Sequence, residues 1–277
     1  MLISVTDKLW RLGQFLKYYF KAKTLYNVHS PFLYELLKKI SDVDKRYYSY
    51  DHIERIRTKY LYNDKPLIIN DKGAGSSSSN KDRTVASICQ LSTSSEKKCR
   101  LLYNIADHFK PNITIELGTN LGIASAYLQA AVNNRVIHTI EADSQLNSIA
   151  KDTFSVLKLP IVDHLMTFDT FFTEYPELIQ EADMVYIDGN HTYKGTMDAY
   201  HHATQGGHKQ KVLIFDDIHW SKDMKRAWDN ISLSIKRGYC INLFIIGIVI
   251  INPEKDRCEN IKFIPWKYKP FSTGLLG

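Results

Sequence analysis

The sequence predicts an α/β protein: a doubly wound sheet whose last strand is antiparallel, preceded by a helical N-terminal appendage. Three observations carry this. Positions 113–117 form a short, apolar, β-branched run that enters a glycine turn, Gly118-Thr119-Asn120-Leu121-Gly122, and then a small-residue helix. Apolar strands and amphipathic helices alternate regularly from there to about residue 251. The chain before that lacks the alternation and is rich in Lys, Tyr and Phe at helical spacing. The expected organisation is an appendage with a flexible loop over 1–82 and one ligand-binding domain over 83–277.

In the appendage, Leu9, Trp10, Leu12, Phe15, Leu16, Tyr19 and Phe20 recur at helical spacing and read as a core-facing stripe. Ser30-Pro31 has the form of an N-cap followed by Pro at the first helical position, and predicts a helix to about Ile40. A third helix is expected over 51–62. Positions 70–82, with Gly73-Ala74-Gly75 and a serine run, read as a loop that serves as linker, lid or hinge. Helices follow over 84–91 and 96–109. The regular part then reads strand 113–117, helix 123–132, strand 136–141, helix 144–157, strand 161–166, strand 183–187, helix 194–204, strand 211–215 and helix 221–235. Positions 239–245 and 248–251, with Gly247 between them, predict a closing antiparallel hairpin.

Composition narrows the class. The 277 residues carry 36 Lys and Arg against 30 Asp and Glu, a net charge of +6. Positions 1–100 hold 19 basic and 10 acidic residues, so the positive charge belongs to the appendage and the remainder is net negative. Such a basic face reads as a solvated helix surface, or as one suited to an anionic substrate, RNA or an acidic lipid surface. Cys89, Cys99, Cys240 and Cys258 show no CxxC pairing, which excludes a disulfide framework or thiolate zinc site and points to reduced thiols in the cytoplasm. No apolar signal-peptide core is seen, and the apolar run 241–251 is too short to span a bilayer.

The strand–glycine turn–helix unit lets backbone N–H groups approach a ligand, and the helix N-terminus favours negative charge there. The next strand ends in Glu141, placed to accept hydrogen bonds from ribose hydroxyls. Asn120 stands where a dinucleotide-binding turn has its second glycine. An adenosine ligand without a pyrophosphate fits better, and S-adenosylmethionine is the common one. Ser125, in the first helical turn, is placed to hydrogen-bond that ligand's carboxylate.

Glu116-Leu117-Gly118-Thr119-Asn120-Leu121-Gly122, then Thr139-Ile140-Glu141, then Asp183-Met184-Val185-Tyr186-Ile187-Asp188, then Leu213-Ile214-Phe215-Asp216-Asp217, resemble the ordered motifs of class I S-adenosylmethionine-dependent methyltransferases. The pattern is most like that of catechol O-methyltransferase and the cation-dependent O-methyltransferases, and it covers about 95–252. The resemblance implies a Rossmann-like methyltransferase sheet of order 3-2-1-4-5-7-6. It implies that Glu116 and the turn Gly118–Gly122, Asn120 included, lie against the amino-acid end of the cofactor. It also implies that Asp169 faces the adenine amino group; the other reading of Asp169 is an N-cap for the following helix.

Asp188 ends one strand, and Asp216 and Asp217 end the next. Where those strands are neighbours, three carboxylates converge and repel one another, and Mg²⁺, Mn²⁺ or Ca²⁺ would relieve the repulsion. The family carries Asp and then Asp-Asn at the matching positions; Asp217 departs from that pattern. The other reading is that Asp217 caps the next helix and Asp216 holds a turn. His191 matches the family's general-base lysine, and an imidazole suits proton abstraction near neutral pH. Its other reading is a loop histidine packed on Trp220 or Tyr193. His219 and Trp220 are further candidates for the cleft wall, while His201, His202 and His208 read as structural.

These residues predict methyl transfer to a small-molecule hydroxyl, with His191 and Asp188 catalytic and Asp188, Asp216 and Asp217 holding a divalent cation. A metal-free methyltransferase of the same fold, acting on a sugar, lipid-linked or nucleic-acid acceptor, is the alternative. No RNA-binding motif is present, and the aromatic N-terminal helices suggest a homodimer.

Overall fold

The computed structural model describes residues 5–69, 83–132, 135–205 and 210–270. The loop over 70–82, with its lid or hinge reading, and His208 lie outside them. In chain order the elements are α1 (Val5–Lys21), α2 (Pro31–Ser41), α3 (Tyr48–Leu61), β1 (Pro66–Leu67), β2 (Arg83–Thr84), α4 (Val85–Leu91), α5 (Glu96–Phe109), β3 (Ile113–Leu117) and α6 (Ile123–Val132). There follow β4 (Val136–Glu141), α7 (Ser144–Leu157), β5 (Ile161–Leu165), α8 (Phe168–Glu174), α9 (Pro176–Glu181), β6 (Met184–Ile187) and α10 (Tyr193–Thr204). The chain closes with β7 (Lys211–Phe215), α11 (Lys222–Ser234), β8 (Gly238–Asn242), β9 (Gly247–Ile251) and β10 (Cys258–Lys262).

The main sheet has the strand order β10-β8-β9-β7-β6-β3-β4-β5. Counted from β3, its first seven strands follow 3-2-1-4-5-7-6, the order implied by the resemblance, with β9 antiparallel to both β7 and β8. The sequence reading did not place β10, which pairs parallel with β8 at the edge. Its residues Cys-Glu-Asn-Ile-Lys bury only Ile261, so they carry little apolar signal.

Two compact units divide the chain: Lys39–Met184, and Met1–Lys38 with Val185–Gly277. In the first, β3, β4 and β5 are parallel, with Glu116 directly opposite Thr139 in the β3–β4 register. β3 is buried on both faces, as an apolar central strand must be. α5 starts on its N-cap Ser95, α7 starts on Asp143, and both end on a lysine in the left-handed region. Gly122 has φ +76°, and a Cβ there would stand 2.6 Å from the Phe154 ring of α7; only glycine fits. α8 is capped by Thr167, whose Oγ1 accepts from the Thr170 N–H at 3.2 Å. The cap reading of Asp169 is therefore corrected: it is the second residue of α8, in its first turn, and exposed to solvent.

In the second unit, every residue of β7 and β8 is buried, matching their near-continuous apolar runs. A Cβ on Gly247 would stand 2.4 Å from the Trp228 ring of α11, so glycine lets that ring lie on the strand. Trp10 and Tyr19 of the α1 stripe are half-buried, Tyr19 against the Tyr18–Ala22–Ile264 cluster, and the reading of the stripe as core is overturned for its other five residues. Leu9, Leu12, Phe15, Leu16 and Phe20 are exposed, and α1 packs through Tyr18 and the following Ala22 against Ile264. Tyr18 stands two residues from Leu16 and Phe20, about 200° around the helix, so the side that packs is not the side with the longest apolar repeat.

Candidate functional site

Within Lys39–Met184, the turn between β3 and α6 is held from beneath. Thr139 donates its hydroxyl proton to Glu116 Oε2 at 2.6 Å. That proton is then spent, so Thr119 Oγ1, 2.6 Å from Thr139 Oγ1, is the donor in their contact. The Ser125 hydroxyl donates to the same Glu116 oxygen. All four side chains are buried. Ser125 thus braces Glu116 from the first turn of α6.

Glu141 sits at the end of β4. Its Oε2 accepts the Asn120 N–H at 2.9 Å and its Oε1 the Asp143 N–H at 3.0 Å. Burial raises its pKa, and these backbone donors pull it back down. The acid at the tip of β4 is thereby tied to the glycine turn. Asn120 has φ +53°, a conformation asparagine tolerates. Its Oδ1 accepts from the Leu121 N–H at 2.8 Å and from Thr93 Oγ1 at 3.2 Å, and its Nδ2 donates to the Ser92 carbonyl at 3.3 Å. Asn120 therefore fixes the shape of the turn. Gly118 and Gly122, at φ +110° and +76°, take backbone conformations that side chains resist.

Within the other unit, Tyr186, Asp188 and Asp216 come together. The Tyr186 hydroxyl is 2.8 Å from Asp188 Oδ2 and 3.1 Å from Asp216 Oδ2, so one phenol proton is shared by two carboxylates. Asp216 is fully buried, and its Oδ1 accepts the Asp217 N–H at 2.9 Å. Asp217 adopts φ +53°, and its carbonyl accepts the Trp220 N–H at 2.8 Å. The cap of α11 is Ser221, so the reading of Asp217 as that cap is corrected, while Asp216 does hold a turn. His191 Nε2 lies 3.8 Å from Asp188 Oδ1.

Each ring expected against His191 carries an arginine on one face. Arg11 lies 3.7 Å over the Trp220 ring and Arg226 lies 3.8 Å over Tyr193. His219 is buried against Phe244 and donates from Nδ1 to the Phe244 carbonyl at 2.7 Å; burial pushes its pKa down to about 4. It is a packed residue, not an open wall of a cleft. Among the described residues, no three His, Cys, Asp or Glu side chains stand together as a metal-ion site.

Three residues were missed in the sequence. Tyr186 and Asp188 share a face of the strand by their spacing of two, and that was the available signal for the phenol. Thr139 is opposite Glu116 only through the strand register. Arg11, which donates from Nε to the Trp220 carbonyl at 2.8 Å, gave no sequence signal.

Comparison with known proteins bears on the fold. The family described as "Methyltransferase domain" matches residues 115–218. Among solved structures, an O-methyltransferase from Bacillus cereus in complex with SAH is 11% identical, with a TM-score of 0.51 over 74% of this chain and 92% of that one. The O-methyltransferase TomG from Streptomyces achromogenes, involved in tomaymycin synthesis and solved with SAM, is 12% identical, with a TM-score of 0.52 over 75% and 91%. SAH-bound methyltransferase PaMTH1 from Podospora anserina is 14% identical, with a TM-score of 0.51 over 80% and 98%. No curated protein matches the sequence. The match to the methyltransferase-domain family thus spans residues 115–218, and the fold is like that of these solved methyltransferases.

Proposed function

We propose that the chain binds S-adenosylmethionine in its Lys39–Met184 unit and methylates a hydroxyl oxygen of a small molecule. The observation that carries the reading is Glu141, an acid at the tip of β4 tethered by the Asn120 N–H to the glycine turn after β3. That arrangement suits a ribose diol beside a turn of approachable backbone. Glu116 with its braces, Gly118 and Gly122 shape the amino-acid end, and Asp169 is assigned to the adenine end. The sulfonium supplies an already activated methyl group. His191 takes the acceptor proton, with Asp188 Oδ1 lying 3.8 Å from its Nε2.

The three carboxylates do not fit a divalent cation as they stand. Asp188 and Asp216 already share the Tyr186 proton, and among the described residues Asp217 does not complete a group of three ligands with them. This supports the metal-free reading, and no step is routed through a cation. O-methylation is favoured over other acceptors because the fold likeness includes enzymes described as O-methyltransferases. The same reading keeps 1–82 as the appendage that shapes the acceptor side, and the four free cysteines as thiols of a cytoplasmic protein.

Calorimetric titration tests this. S-adenosylmethionine should bind with micromolar affinity equally in Mg²⁺ and in EDTA, and Glu141→Ala should weaken binding at least about tenfold. No binding under either condition overturns the proposal. Binding or transfer that requires Mg²⁺ restores the metal-assisted reading.

A further inference from the structure

We propose that the outer face of α1, with the turn that follows β10, docks on an anionic lipid surface. Leu9, Leu12, Leu16 and Phe20 recur at spacings of three and four and are 63, 53, 46 and 75% exposed. Gly13 lies in the same stripe, and the space where its Cβ would stand is open. The stripe is on the side of the helix away from Tyr18, so packing within the described residues leaves it uncovered.

Lys269 Nζ donates to the carbonyls of Phe20 and Ala22 at 3.3 and 2.8 Å, which brings the turn Trp266–Tyr268 against the end of α1. Trp266 and Tyr268 are each 51% exposed, and Tyr26 is 62% exposed. Trp and Tyr have the apolar body and polar edge that suit a membrane–water boundary. Lys17, Lys21, Lys23, Lys267 and Lys269 come from the same two stretches, and Asp7 is the only acid within 5–27 and 262–270.

Charge chooses the occupant. A second copy seated on this face would set lysines against lysines. A nucleic acid would leave the leucines in water. An anionic bilayer surface takes both: the apolar stripe enters the acyl boundary and the amines meet lipid phosphates. The helix lies along the surface, because no helix among the described residues is long and apolar enough to cross a membrane.

Co-sedimentation of the full chain with vesicles tests this. Binding is expected to phosphatidylcholine vesicles containing about a third phosphatidylserine, to weaken steeply as salt rises, and to be far weaker on phosphatidylcholine alone. Leu16→Asp with Phe20→Asp should lose at least about tenfold in partition, with the melting temperature of the wild type. Lys17→Glu with Lys267→Glu should lose at least about twentyfold on the anionic vesicles, since each lysine near such a surface is worth about a factor of five. Failure to bind the anionic vesicles at low salt overturns the proposal, as does binding that the double aspartate variant retains. A dimer seen by sedimentation velocity and dissolved by those aspartates, with no vesicle binding, would assign the face to a second copy instead.

Discussion

Replacing Tyr186 by Phe removes one oxygen from beneath Asp188 and Asp216 and leaves the ring in place. The ring is fully buried, so the change makes almost no cavity. What is lost is a donor at 2.8 and 3.1 Å from two carboxylate oxygens, one of them on a wholly buried side chain. A hydrogen bond to a charged group is worth about 1.5–3 kcal/mol, and a single proton divided between two acceptors counts for less than two such bonds. The expected loss is about 2–3 kcal/mol, read by urea denaturation at neutral pH, with a melting temperature lower by about 5 °C or more. A variant within about 0.5 kcal/mol of the wild type would refute the shared-proton account. The same reasoning predicts that millimolar Mg²⁺ leaves wild-type stability unchanged. A cation bound to the native state at a hundred times its Kd would add about 2.7 kcal/mol, and a gain of that size would show that the carboxylates close on metal.

His191→Asn should lower methyl transfer by about 10²–10⁴-fold while leaving S-adenosylhomocysteine binding by calorimetry unchanged; loss of binding with transfer would refute its role as base. Gly122→Ala should destabilise by about 2–4 kcal/mol in a thermal melt, because the methyl meets Phe154 and the backbone is left-handed. His219 is neutral in the fold, with its pKa lowered to about 4 from the ordinary 6.5. The unfolded chain takes up a proton below pH 6.5 that the native ring refuses, so stability falls as pH drops from 6.5 toward 4, by about 3 kcal/mol in all. His219→Asn, whose amide can still donate to the Phe244 carbonyl, should flatten that part of the pH profile.

Most of the fold was legible because its central strands are buried on both faces and its turns carry glycine. Residues 113–117, 136–141 and 211–215 announce themselves by short runs rich in apolar and β-branched residues, and the structure places strands over those spans. β10 did not, because an edge strand with one buried residue has no periodic apolar signal. The α1 stripe misled for a related reason. Helical periodicity says that an apolar face exists, not that the chain covers it, and in α1 the packing runs through Tyr18. At the site, residues fixed by local sequence were readable: Glu141 at a strand tip, and glycines in a turn. Partners set by strand register or by distant segments were not. Thr139 reaches Glu116 across a register, and the contact of Ser125 with Glu116 was hidden because spacing gives the turn of the helix but not which neighbour its hydroxyl finds.

Arg11 joins distant ends of the sequence. From the first helix its guanidinium lies on the Trp220 ring, its Nε holds the Trp220 carbonyl, and Asp217 and Asp7 raise its pKa against the lowering by burial. The loop that carries the paired aspartates is thus latched by a residue near the amino terminus. Trimming the chain past residue 11 to improve expression, or pulling on α1 from outside, would unlatch that loop while leaving β7 intact. The first helix is then a handle on the Asp216–Asp217 turn, and an assay run on a shortened chain reports on a different molecule.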